Sequence, residues 1–134
     1  MQIKLIPLQA HGDERGSLIA LEQDKNIPFP IKRVYYIFDT QEGVTRGFHA
    51  HKELKQVAIA VKGSCRFLLD DGKEKVSFLL DNAAQGLLIE SCIWREMSDF
   101  SEDCVLMVLA DNFYDESDYI RDYDEFLKIV KDKE

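Results

Sequence analysis

RGFHAHKELKQVAIAVKG, residues Arg46–Gly63, is the stretch on which the reading of this chain turns. His49 and His51 stand two residues apart, so in an extended strand both imidazoles point to one face. Gln56 opens QVAIAV, residues 56–61, which alternates too little for a half-exposed strand and reads as buried. Paired imidazoles on one face of a strand, next to a buried strand, describe a site inside a barrel.

The flanking sequence supplies the rest of that barrel. Lys32–Phe38, KRVYYIF, is β-branched and aromatic, and Asp39–Arg46 is a polar loop. Ser64–Leu69 and Lys75–Leu80 are strands joined by a hairpin turn at Asp70-Asp71-Gly72-Lys73. Gly86–Glu90, Ile93–Ser98 and Cys104–Ala110 are further strands. Towards the start, Ile3–Pro7 is a short strand, His11–Gly16 a turn and Ser17–Glu22 a strand, and Pro28 and Pro30 interrupt the segment between that strand and Lys32. Near the end, Ile120, Tyr123, Phe126, Leu127 and Val130 recur at helical spacing, which predicts a helix over Tyr119–Val130. Many short strands and one helix predict an all-β fold, a double-stranded β-helix or jelly roll with a short C-terminal α-helix.

Size and charge bound the function. A chain of 134 residues is expected to form one domain over 1–134 with one core. The net charge of −8 argues against a general nucleic-acid or membrane-surface binder. Apolar runs such as Val105–Ala110 are far too short to span a bilayer, and the first residues lack a signal-peptide pattern. Cys65, Cys92 and Cys104 are an odd count within apolar segments, so they are expected to be buried free thiols in a reducing cytoplasm.

The spacing His49-x-His51-x4-Gln56-x6-Gly63 resembles the first motif of the cupin family. In metal cupins, His, His and Glu of that motif and a His of the second motif hold one metal. Here Gln56 stands at the Glu position, and Arg95, in GLLIESCIWREM, stands where related chains carry the second-motif His. An amide is a poor ligand and a guanidinium cannot ligate at all, so no metal and no other cofactor is expected.

The resemblance sharpens over nearly the whole chain. Arg15-Gly16-Ser17-Leu18, Ile31–Phe38, Arg46–His51, Trp94 with Glu96-Met97, and Tyr114-Asp115-Glu116 through Tyr119-Ile120-Arg121 are similar to the nucleotide-sugar 3,4-ketoisomerases of the WxcM-like cupin group. The resemblance implies a dTDP-linked keto sugar as substrate, moved from a 4-ketone to a 3-ketone for 3-amino-sugar synthesis. It also implies a homodimer with swapped N-terminal strands, for which the apolar Ile3–Leu8 is suited.

The residue types suit that chemistry. Moving a ketone from C4 to C3 takes a base at C3, an enediol, and a proton delivered to C4. His49 is the expected base, His51 the relay to the sugar oxygens, and Tyr35 a donor to one of them. Arg15, Arg33, Arg46 and Arg95 are the expected substrate-binding cations, since the planar guanidinium matches phosphate. A 3,5-epimerase of the same fold pairs a His with an Asp in a longer chain, which the His-x-His arrangement disfavours. A non-catalytic sugar-nucleotide-binding module is the third reading. Trp94 is read as core or barrel wall, His11 as surface, and the acidic run Asp111–Asp124 as a solvated face.

Overall fold

A computed structural model describes residues 1–133. The chain runs β1 (Lys4–Pro7), β2 (Ala10–Asp13), β3 (Gly16–Ile19), β4 (Arg33–Ile37), β5 (Arg46–His51), β6 (Gln56–Lys62), β7 (Cys65–Asp70), β8 (Lys75–Leu80), β9 (Gln85–Ile89), β10 (Trp94–Ser98), β11 (Val105–Ala110), β12 (Tyr119–Ile120) and α1 (Tyr123–Asp132). Two five-stranded antiparallel sheets, β1-β9-β6-β11-β4 and β12-β5-β10-β7-β8, form the two walls of the expected jelly roll.

Alternation along each strand divides the side chains into three layers. Between the sheets lie Ala58, Ala60, Phe67, Leu69, Leu87, Met97, Leu106 and Val108, all buried. On the outer face of the first sheet, Val57, Ile59 and Leu109 are covered by Ile27 and Phe29 from the irregular segment between β3 and β4. On the outer face of the second, Trp94, Ala50 and Ile120 are covered by Phe126 of α1. Trp94 is therefore wall, as read from sequence, and Cys65 and Cys104 are buried free thiols, whereas Cys92 is only half-buried.

Two segments differ from the sequence reading. His11–Gly16 is a paired ribbon with its turn at Glu14-Arg15, because Gly12 and Asp13 pair with Ser17 and Gly16. Its exposed residues carry no alternation that would announce a strand. The helix begins at Tyr123, where the Asp122 carboxylate caps it by accepting the Glu125 N–H at 3.1 Å. Tyr119 and Ile120 instead pair with His51 and Ala50 as β12, so the apolar spacing of Ile120 reports burial against the sheet.

Candidate active site

β5 is bent where the histidines begin. Gly47 (φ 95°) and Phe48 (φ 57°) both sit in the left-handed region, and the pairing of β5 with β10 slips between them and His49. A side chain at Gly47 would bring a Cβ to 2.9 Å from the Arg95 carbonyl oxygen, so only glycine fits. A non-glycine residue held at positive φ beside the histidines is local strain of the kind that clusters at functional sites. Beyond the bulge, His49 and His51 do share a face, with ring centroids 5.0 Å apart and rings nearly perpendicular.

Tyr119 closes this face from β12, its ring centroid 5.0 Å from His49 and 4.3 Å from His51. Arg121 lies over the Tyr119 ring at 4.2 Å and forms a two-point ion pair with Glu116 at 2.7 and 2.9 Å. From β4, the Arg33 guanidinium lies 5.4 Å from the Tyr35 ring and makes no ion pair among the described residues. Two cavities share Arg33 and Tyr119 in their walls. One, of about 440 Å³, is walled by Arg33, Tyr35, Arg46, His49, Tyr119 and Arg121. The other, of about 380 Å³, is reached by His51, Asp118 and Lys55 and shares Arg33 and Tyr119.

Behind them runs a buried polar chain. Tyr35 on β4, Gln56 on β6 and Arg95 on β10 all point inward. The Gln56 side-chain nitrogen donates to the Tyr35 oxygen at 3.1 Å, and the Arg95 Nη1 donates to the Gln56 carbonyl. Arg95 Nη2 donates to the Ile93 carbonyl at 2.9 Å. Arg95 is 2 % exposed and has no carboxylate partner among the described residues.

That buried cation dominates the electrostatics. Burial pushes the His49 pKa down to about 4, and the positive charge of Arg95 adds to the shift. His51 is pushed down to about 2, again by burial first and then by Arg95. Both imidazoles are therefore neutral at pH 7. Burial raises the Tyr35 phenol, opposed by Arg95. Arg95 is itself lowered by burial to about 10 and stays charged.

Of the residues expected from sequence, the structure brings Arg33, Tyr35, Arg46 and His49 onto one cavity wall and sets His51 on the neighbouring one. Arg95 lies beneath the wall and lines neither cavity. Arg15 lies at the turn of the β2–β3 ribbon, 86 % exposed and paired with Asp13 at 2.6 Å, on no wall of either cavity. Sequence reasoning passed over Asp118, Tyr119 and Arg121. Asp118 is no solvated charge: its carboxylate accepts the Glu53 and Leu54 N–H groups at 3.0 and 3.2 Å and lies 3.3 Å from His51 Nδ1. The last contact is close but not aligned as a hydrogen bond. The only signal available was the match of Tyr114–Arg121 to the family motif.

A family model described as FdtA, WxcM-like, C-terminal matches residues 1–131. The chain belongs to the WxcM-like family. A curated relative from Aneurinibacillus thermoaerophilus, TDP-4-oxo-6-deoxy-alpha-D-glucose-3,4-oxoisomerase, is 55 % identical over 130 residues, covering 97 % of this chain and 94 % of that protein. The crystal structure of a 3,4-ketoisomerase from Helicobacter canadensis superposes with a TM-score of 0.94 at 53 % identity, over 98 % of each chain. QdtA from Thermoanaerobacterium thermosaccharolyticum, a 3,4-ketoisomerase whose histidine-to-asparagine mutant was crystallised with TDP-4-keto-6-deoxyglucose, gives 0.95 at 43 % identity over 98 % of this chain and 95 % of that one. WxcM-like 3,4-ketoisomerases thus match the chain at both the sequence and the fold level.

Proposed function

We propose that this chain is a 3,4-ketoisomerase that converts TDP-4-keto-6-deoxyglucose into the 3-keto isomer by histidine acid/base chemistry without a metal. The observation that carries the mechanism is the pair of facing imidazoles, held neutral by burial, beside a buried cation with no carboxylate partner among the described residues. Neutral His49 takes the proton from C3, and the electrons of that bond form the C3–C4 double bond of an enediolate, with negative charge on the former ketone oxygen. The buried Arg95 charge and the Tyr35 hydroxyl favour that charge. The C3 hydroxyl gives up its proton as the C3 ketone forms, protonated His49 delivers its proton to C4, and the C4 oxygen is left as a hydroxyl. His51 carries the proton between the two oxygens. Arg33 and Arg46, at the cavity rim, suit the diphosphate.

The metal of the wider fold family does not suit these residues. The Gln56 carbonyl, which stands at the carboxylate-ligand position, is turned to Arg95, so a divalent ion there would face a buried positive charge. The 3-ketone of the product is the electrophile that a 3-aminotransferase takes, which fits a place in 3-amino-sugar synthesis. Free buried thiols fit a reducing cytoplasm.

The same reading includes a homodimer, which two exposed surfaces favour. The β2–β3 ribbon pairs with neither main sheet, and it leaves Leu18 61 % exposed. Edge strand β4 exposes Val34 and Tyr36. Ile3–Leu8, the segment expected to exchange, pairs with β9 of its own chain through β1, so the segment that suits exchange is the ribbon, which carries Arg15 and would cover these surfaces on a second copy.

Incubation with TDP-4-keto-6-deoxyglucose, followed by NMR, tests the function. The expected result is a carbonyl signal moving from C4 to C3. Inversion at C5, or saturable binding without conversion, overturns the assignment.

A further inference from the structure

Gln56 and Arg95 line neither of the two cavities, yet both are almost fully buried and joined to Tyr35, which lines one. The direction of this hydrogen-bonded chain is set by its chemistry. A guanidinium has only protons to offer, so the Gln56 atom facing Arg95 is the carbonyl oxygen. The amide nitrogen must then face Tyr35, 3.1 Å away, and it too has only protons to give, so the phenol oxygen accepts. Tyr35 donates to no protein acceptor among the described residues. Its single proton is left for the cavity it shares with His49. The Ile93 carbonyl holds the far end of the chain through Arg95 Nη2.

We propose that Arg95 and Gln56 are positioning residues that lock Tyr35 as a hydrogen-bond donor aimed at the enediolate oxygen of the sugar. The inference rests on the ketoisomerase reading for its substrate, but not for the direction of the chain. It gives a reason for an amide at position 56. A glutamate there would accept the Tyr35 proton and neutralise Arg95, reversing the chain and withdrawing the donor from the cavity.

The test compares Gln56→Glu, Tyr35→Phe and the double variant, all assayed with excess EDTA so that the new carboxylate recruits no metal. Each single variant should lose about 10²–10³-fold in kcat, the usual loss of one oxyanion donor, while TDP affinity by calorimetry stays within about twofold. The double variant should lose far less than the product of the two single losses, its only excess over Tyr35→Phe being the Arg95 charge that the new carboxylate neutralises. A near-UV titration of the Tyr35 phenol, taken as the difference from Tyr35→Phe, should move upward in Gln56→Glu. Native kcat in Gln56→Glu, losses that multiply in the double variant, or an unmoved phenol would each overturn the proposal. Where Gln56→Glu fails to bind TDP, Gln56→Met takes its place in the cycle, with the same non-additivity expected. The titration needs no substrate. An unsubstituted enzyme that leaves TDP-4-keto-6-deoxyglucose unchanged therefore refutes the ketoisomerase reading, while the titration still decides the direction of the chain.

Discussion

Asp118 links the acidic stretch before α1 to the loop that joins the histidine strand to Gln56. Its carboxylate accepts two backbone N–H groups, from Glu53 at 3.0 Å and Leu54 at 3.2 Å, and its own carbonyl accepts the Lys52 N–H at 2.9 Å. A hydrogen bond to a charged group contributes about 1.5–3 kcal/mol, and the 19 % exposure of this side chain lets water replace part of that, so the lower end applies. Asp118→Ala should therefore cost about 3 kcal/mol for the two bonds together. In a protein of 134 residues that corresponds to a Tm lowered by roughly 9–15 °C. Asp118→Asn keeps one acceptor oxygen and should lose about half as much. Differential scanning calorimetry on both variants, with kcat measured well below their midpoints, reads the effect. The loop carries the chain from His51 to Gln56, so kcat should fall in Asp118→Ala even where the protein is folded. A Tm within about 2 °C of the parent in Asp118→Ala would refute the anchoring role, since that is under 1 kcal/mol on the same scale.

The depressed histidines set the pH behaviour. With His49 held near 4, kcat/KM should stay flat from pH 8 down through pH 6 and fall only near pH 4; an acid limb at about 6.5, the ordinary histidine value, contradicts the desolvated site. The same shift acts on stability. The unfolded chain takes up a proton near pH 6.5 that the folded chain refuses until about 4, so urea midpoints should fall as pH is lowered through that window. Arg33→Ala and Arg46→Ala should each weaken TDP binding about 10- to 150-fold by calorimetry, the equivalent of one lost charge-assisted contact of about 1.5–3 kcal/mol. Turnover should survive exhaustive chelation, and loss of turnover restored by a divalent ion would remove the metal-free mechanism.

The legible parts of this molecule were those written in local periodicity. Alternation put His49 and His51 on one face, and the apolar run from Val57 placed β6 in the core beside them. The DDGK turn joined β7 to β8 as read, with Asp70 opposite Lys75. What stayed hidden depends on contacts between distant segments. The bulge at Gly47 and Phe48 is visible only once β10 lies alongside, because the constraint on Gly47 is the Arg95 carbonyl. Asp118 looked like one acid among many, since its partners Glu53 and Leu54 lie more than sixty residues earlier. Arg95 was read as a substrate-binding cation from its place in the second motif. Its guanidinium instead lies behind the wall on Gln56, a pairing no window of sequence contains. Arg15 shares that motif-based origin, and within one chain it stands apart from both cavities.

Everything in the proposed mechanism turns on His49 moving the C3 proton. His49→Asn keeps a polar side chain of similar size and removes the titratable group. The measurement is solvent deuterium entering the sugar at C3, followed by NMR with TDP-4-keto-6-deoxyglucose. The account predicts that TDP binding persists in His49→Asn while exchange at C3 and isomerisation fall together by about two to four orders of magnitude, the range for a positioned general base. His51→Asn should slow turnover yet leave exchange at C3 measurable, because a relay acts on oxygen protons. Exchange at C3 at the native rate in His49→Asn, with weaker binding of the sugar nucleotide, would contradict the account and move the base to His51.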